Sequence, residues 1–316
     1  MKKSTKRFLF FTAATAATIY AYNEYVDKTA TSKNMLSDDN GSYFEWKYGD
    51  VFYTKRGNGE PILLLHDLDP AGSSFEWAKV IHKLEKNYTV YTMDLPGCGR
   101  SAKPALTYTN YMYVQLITAF IKDIIKEKTD IIASNMSCSF VLMANLMDDS
   151  IINNIILINP VSLKTLTYIP NSQSKLKQML INLPLVGTFI YNVLMNPARL
   201  DRQFRTNYYS KSNMVSSKIK DAYYEASHSD NSNGKYLYSS LLGNYMGVDI
   251  RQALKKLKNK TYIIGSTDIK NNLNTLEEYH KLNSNIQVIH VSNCKLYPQL
   301  ENPAKINQII EHILSR

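Results

Sequence analysis

The chain has 316 residues, 44% of them hydrophobic and 20% charged, with a formal charge of +10. This is an ordinary balance for one large globular domain with an insertion, or for two domains. No basic run with interleaved aromatics suggests a nucleic-acid groove, and three cysteines without a CxxC pair (Cys98, Cys138 and Cys294) exclude a disulfide framework and give no metal motif, so no cofactor is expected.

The amino terminus reads KKSTKR, then the apolar run FLFFTAATAATIYAY, then NEYVDK. A basic flank before an apolar stretch is the pattern of a signal anchor over residues 1–28, with a cleaved signal peptide or a short amphipathic stub as alternatives. The run is short against the ~20 residues of a typical spanning helix, although Tyr20, Tyr22 and Tyr25 suit an interfacial belt. Lysines ahead of a span would leave the remainder outside the cytoplasm, so the expectation is a membrane-anchored, extracytoplasmic domain. Residues 1–28 hold Lys2, Lys3, Lys6, Arg7 and Lys28 against Glu24 and Asp27, leaving about +7 on the rest. Such an excess favours an anionic membrane surface or acidic ligands.

Residues 29–42 are polar and without period, as in a linker. YFEWKYG and DVFYTKRG then alternate like paired antiparallel strands, joined at Gly49-Asp50. The continuous apolar runs PILLLHD, YTVYTMD, DIIAS, IILINP and TYIIGS fit strands covered on both faces. Helical patterns such as SSFEWAKVIHKLEKN and YVQLITAFIKDIIKE separate the earlier runs, which implies right-handed crossovers and a mostly parallel α/β sheet with ligands beyond the strands' carboxyl ends. From about 164 to 245 the pattern is helical throughout (SKLKQMLINLPLVGTFIYNVLM, SSKIKDAYYEASHSD, KYLYSSLLGNYM), most simply a cap. The expected organisation is therefore an anchor (1–28), a linker (29–42), a core in two parts (43–163 and 246–316) and a helical cap (164–245) between them.

Three stretches follow successive strands: HDLDPAGSSFEW, DLPGCGRSAKP and ASNMSCSF. Together they resemble the α/β-hydrolase family, in which a His-Gly turn supplies part of the oxyanion hole, an Asp-x-x-Gly-x-Gly-x-Ser loop follows the next strand, and a strained strand-to-helix elbow carries the nucleophile. The resemblance covers about residues 43–316 and implies descent from capped serine hydrolases of the esterase type. Laying Gly-x-Ser-x-Gly on Asn135-Met136-Ser137-Cys138-Ser139 makes Ser137 the candidate nucleophile, with both glycines missing. By resemblance, Leu68 and Cys138 supply the oxyanion amides and Asp268 the acid. Asp67 stands where the family has glycine, a poor neighbour for developing negative charge.

The base is missing. The family's Gly-His-x-x-x-x-Glu-x-Pro pattern aligns with Lys295-Leu296-Tyr297-Pro298-Gln299-Leu300-Glu301-Asn302-Pro303 and puts Leu296 at the histidine position. Without an imidazole, the serine loses all but the residual ~10³ to 10⁴-fold acceleration from binding and the oxyanion hole. The expectation is a pseudoenzyme or slow hydrolase with a pocket under the cap for a small apolar or acyl ligand. The alternatives are an active ester hydrolase with an unidentified base, or a membrane-anchored scaffold that binds a protein. Cys98, Cys138 and Cys294 all fall at the carboxyl edge of the sheet; a Cys138–Cys294 bond is conceivable, but three free thiols is the simpler reading.

Overall fold

An eight-stranded sheet ordered β1-β2-β4-β3-β5-β6-β7-β8 runs through the molecule, in a computed structural model that describes residues 3–38 and 40–315. β1 (Gly41–Phe44) and β2 (Val51–Arg56) pair antiparallel with Tyr43 opposite Phe52, and β2 pairs antiparallel with β4 (Thr89–Met93). β3 (Pro61–Leu65), β5 (Thr129–Ser134), β6 (Ile152–Ile158), β7 (Thr261–Ser266) and β8 (Gln287–Val291) continue the sheet in parallel. β3, β5 and β7 are buried along their whole length, as their unbroken apolar runs require.

The helices follow in chain order. α1 (Lys3–Thr31) precedes the sheet, and α2 (Ala78–Leu84), α3 (Asn110–Phe120) and α4 (Ser137–Met147) are the early crossovers. Between β6 and β7 lie α5 (Leu163–Leu166), α6 (Ser172–Asn182), α7 (Val186–Leu194), α8 (Pro197–Gln203), α9 (Ser217–His228), α10 (Lys235–Leu242) and α11 (Arg251–Lys256). No strand interrupts this region among the described residues. α6 and α7 divide one apolar periodic stretch because Pro184 lacks the amide a continuing helix needs. α12 (Asn272–Leu282), α13 (Pro298–Glu301) and α14 (Pro303–Leu314) complete the core. α3, α4 and α12 pack on one face of the sheet, and α2 and α14 on the other.

The loop after β4 shows why its sequence reads as it does. Asp94 is wholly buried and accepts hydrogen bonds from the Ser74 amide (2.7 Å), the Arg100 amide (2.8 Å) and Arg100 Nε (2.7 Å). Burial alone would raise its pKa, but the Arg100 guanidinium outweighs that and holds the carboxyl below the usual range. Gly99 has φ 49°, and a Cβ there would lie 2.3 Å from Asp94 Oδ2, so only glycine fits.

The amino-terminal segment departs from expectation. The helix continues through Thr31, past the expected linker boundary. Its second half is docked: Asn23 Nδ2 donates to the Leu185 carbonyl (3.1 Å), Asn192 Nδ2 donates to Asn23 Oδ1 (3.1 Å), and Ser232 Oγ donates to Asp27. Tyr22 meets Phe189 edge to face at 5.3 Å. Its first half is bare, with Phe8, Phe10 and Phe11 each about two-thirds or more exposed. No helix among the described residues is long and apolar enough to cross a membrane. The spanning reading of residues 1–28, and the extracytoplasmic placement that followed from it, therefore find no support here. The three cysteines are free and buried, and no Cys138–Cys294 bond forms.

Candidate functional site

The chain leaves β5 at Ser134, turns through Asn135 and enters α4. The strained residue of this turn is Asn135, whose φ of 43° lies in the left-handed region that asparagine tolerates better than most. Its amide still bonds the Ile158 carbonyl at 2.9 Å, so the sheet ladder runs up to the turn itself.

The strained position and the expected nucleophile do not coincide. Ser137, expected as the nucleophile, is two residues beyond the strained position, inside the first turn of α4, and wholly buried. Its hydroxyl donates to the His66 carbonyl at 2.5 Å. The His66 ring offers no proton relay: Nε2 accepts from the Leu95 amide (2.9 Å), which leaves Nδ1 to donate to the Asp67 carbonyl (2.6 Å), and burial pushes its pKa down. Cys138, expected as an oxyanion amide, donates instead to the Asn135 carbonyl at 3.2 Å. The amide directly after the strained residue belongs to Met136.

That amide is occupied. It donates to Asp67 Oδ1 at 3.1 Å, while Asp67 Oδ2 accepts from Asn135 Nδ2 (3.1 Å) and Tyr297 Oη (3.0 Å). A helix start is a ready anion site, and here the chain's own carboxylate fills it. Beneath, the Asp67 amide donates to Glu76 Oε2 (3.1 Å) and Gln299 Nε2 donates to Glu76 Oε1 (2.7 Å). Burial, aided by the Asp69 charge, pushes Asp67 up to about 6 against three hydrogen bonds that oppose it. Burial and then the Asp67 charge push Glu76 up to about 8.

Asp268, the expected acid, is exposed and faces the cap. Its Oδ2 accepts from Ser210 Oγ at 2.7 Å and its Oδ1 from Thr267 Oγ1 (3.1 Å) and the Asn293 amide (3.3 Å). The Ser210 bond is the main cause of its lowered pKa. No hydrogen bond joins it to Asn135 or Ser137 among the described residues. Leu296 is half-buried against an aromatic cluster. Leu68 is buried beside Asp67 in the turn after β3.

The space between cap and core is filled with side chains. Tyr208 lies 4.7 Å from Tyr297 and 5.1 Å from Phe204, and Phe204 lies 5.0 Å from Tyr223, with Leu296 and Leu300 in the same cluster. This is where the expected apolar ligand pocket would have been. The cap segment is also tied to the loop after β8: Glu301 accepts from the Ser210 amide (2.9 Å), the Lys211 amide (2.8 Å) and the Lys295 amide (3.0 Å), and Lys295 Nζ reaches the Thr206 carbonyl (2.8 Å). A cleft of about 710 Å³ opens elsewhere, between the β4 loop and α9–α10, lined by Tyr48, Arg100, Lys103 and Tyr236 and not by Asp67 or Asn135.

The family model for the alpha/beta hydrolase fold matches residues 60–303. The chain belongs to the alpha/beta hydrolase family. Among curated proteins it is similar to 2-hydroxy-6-oxo-6-(2'-aminophenyl)hexa-2,4-dienoic acid hydrolase from Metapseudomonas resinovorans, 30% identical over 114 residues, which is 35% of this chain and only 39% of that protein. Among solved structures it resembles a meta-cleavage product hydrolase from Pseudomonas fluorescens, with a TM-score of 0.70 at 16% identity over 87% of this chain and 97% of that one. It also resembles a bacterial membrane phospholipase A, with a TM-score of 0.69 at 16% identity over 100% of this chain and 98% of that one. Likeness at this identity establishes the fold.

Proposed function

We propose that this alpha/beta hydrolase acts by binding and not by turnover: a catalytically silent member held at a lipid interface by its amino-terminal helix. The observation that carries the first part is the Asp67 carboxylate on the Met136 amide, with Asn135 at the strained elbow position. In this register the Gly-x-Ser-x-Gly template runs Ala133-Ser134-Asn135-Met136-Ser137, with small residues in both glycine positions and asparagine, not a nucleophile, at the serine position. An amide carboxamide cannot attack an acyl carbon as a serine oxygen does, and an anion already seated in the oxyanion hole opposes a second. Leu296 at the histidine position removes the proton carrier as well. Asp268 alone has no partner to orient.

The interfacial part rests on the bare half of α1. Lys2, Lys3, Lys6 and Arg7 precede Phe8-Leu9-Phe10-Phe11, and all four of these apolar side chains are half or more exposed. A short apolar helix with a basic flank suits the headgroup boundary better than a span. The structural match to the membrane phospholipase A extends over α1, which supports the same assignment.

A fluorophosphonate probe tests the silent reading. The native chain is expected to stay unlabelled, and a variant carrying Asp67→Gly, Asn135→Ser and Leu296→His, with Tyr208→Ala to open the filled space above the elbow, to gain labelling at residue 135. Stoichiometric labelling of the native chain, lost in Ser137→Ala, would overturn it.

A further inference from the structure

We infer that the outer face of α6 and α7 is a second lipid contact, so that the domain lies cap-down on an anionic bilayer rather than hanging from α1 alone. The inference rests on the interfacial reading of α1 and extends it to the cap.

The cap's outer surface is unusually apolar for a solvated one. Ile169 is 74% exposed, Met179 56% and Leu176 54%, and Leu180, Leu183 and Val186 are each about two-fifths exposed. Scattered single apolar residues are ordinary on a surface, but these six fall on α6, the loop before it, the turn after it and the first residue of α7. The turn holding Leu183 and Val186 is also where the Leu185 carbonyl receives Asn23, so this face begins where the bare half of α1 leaves the domain.

Charge selects the occupant. Residues 150–200 contain no aspartate or glutamate, and their charged residues are Lys164, Lys175, Lys177 and Arg199. Residues 1–23 likewise contain no acid. These two acid-free stretches carry most of the exposed large apolar side chains among the described residues, and they meet at the Asn23–Leu185 contact. Apolar side chains that enter an acyl boundary, flanked by lysines and free of carboxylates, match an anionic leaflet. Lys175 and Lys177 on α6 bracket Leu176 and are spaced to reach headgroups while Leu176, Met179 and Leu180 enter below them.

The test uses the full chain with an environment-sensitive fluorophore on Met179→Cys, a selective site because the native thiols are buried. A second label at the exposed helix position Lys281→Cys serves as the reference. Phosphatidylcholine vesicles with phosphatidylglycerol should shift the 179 emission to the blue and leave the 281 emission unchanged, and phosphatidylcholine alone should do so weakly. Ile169→Asp with Leu176→Asp should weaken vesicle binding by about tenfold or more. If the chain floats with vesicles while the 179 label stays in water, the cap inference fails and the α1 tether stands. If the chain does not bind vesicles at all, both fail. A blue shift that depends on protein concentration without lipid would assign the face to a second copy and overturn the lipid assignment.

Discussion

Replacing Glu76 by glutamine isolates the buried carboxyl beneath the elbow. Glu76 is wholly buried, and its folded pKa is raised to about 8 from an ordinary 4.5, with burial the main cause and the Asp67 charge second. A carboxyl raised on folding stabilises the native state below its unfolded pKa, and that contribution is lost as pH rises through the folded one. The window is therefore pH 4.5 to about 8. At about 1.4 kcal/mol per pH unit, the native protein loses about 3 kcal/mol by pH 7 and about 5 kcal/mol once Glu76 is fully ionised. Glutamine keeps the shape and the two hydrogen bonds. One amide atom accepts from the Asp67 amide, and the other faces Gln299, whose Oε1 has no partner in the native arrangement and can turn to accept it. Urea midpoints from pH 5 to 9 check this. Glu76→Gln should match the native chain near pH 5 within about 1 kcal/mol and exceed it increasingly above pH 6. Parallel profiles for the two chains over that range would refute the buried-carboxyl argument.

Other predictions concern the elbow, the cap latch and the β4 loop. Asn135→Gly should be close to neutral, because glycine accepts φ 43° and only the bond to Asp67 is lost, whereas Asn135→Val should lower stability by about 2 kcal/mol in thermal melts. Glu301→Ala strips the acceptor from the amides of Ser210, Lys211 and Lys295; a cost of about 3 kcal/mol and faster proteolytic cleavage between 204 and 214 are expected. Asp94→Asn leaves Arg100 without its charge partner and should cost about 3 kcal/mol in urea titrations.

The strands were legible because a strand covered on both faces has no polar alternation to obscure it, and PILLL, TDIIAS and TYIIGS appear as wholly buried strands. The helical character of the segment between β6 and β7 was legible, though not its break at Pro184. The elbow template was anchored on a serine, whereas the strained backbone lies at Asn135. The stronger physical signal was in the chain: a strand that ends at Ser134 must turn at Asn135, and asparagine is the side chain there that best tolerates a left-handed backbone. Asp67 was visible as a missing glycine, but its grip on Met136 spans 69 positions and has no local signature. The docking of α1 was equally hidden, since Asn23 and Asp27 find their partners at 185, 192 and 232.

A capped hydrolase needs a free amide at the elbow, an empty space above it and a cap loose enough to admit substrate. In the silent reading proposed above, the same few groups remove all three conditions at once. Tyr297, next to the position where the family keeps its histidine, donates to Asp67 and packs at a tilt against Tyr208 of the cap, so the group that holds the carboxylate in place also fills the space above it. Asp268 is drawn to the cap by Ser210, and Glu301 clamps the backbone of the same cap segment. Three contacts made by the loops after β7 and β8, Tyr297 with Tyr208, Asp268 with Ser210 and Glu301 with Ser210, therefore also tie down the cap. Restoring a serine or a histidine singly leaves the other contacts in place, which is why the labelling test changes Asp67, Asn135 and Leu296 together and opens the cap at Tyr208. What the closed arrangement leaves available is the outside of the cap, where the apolar side chains and the lysines are.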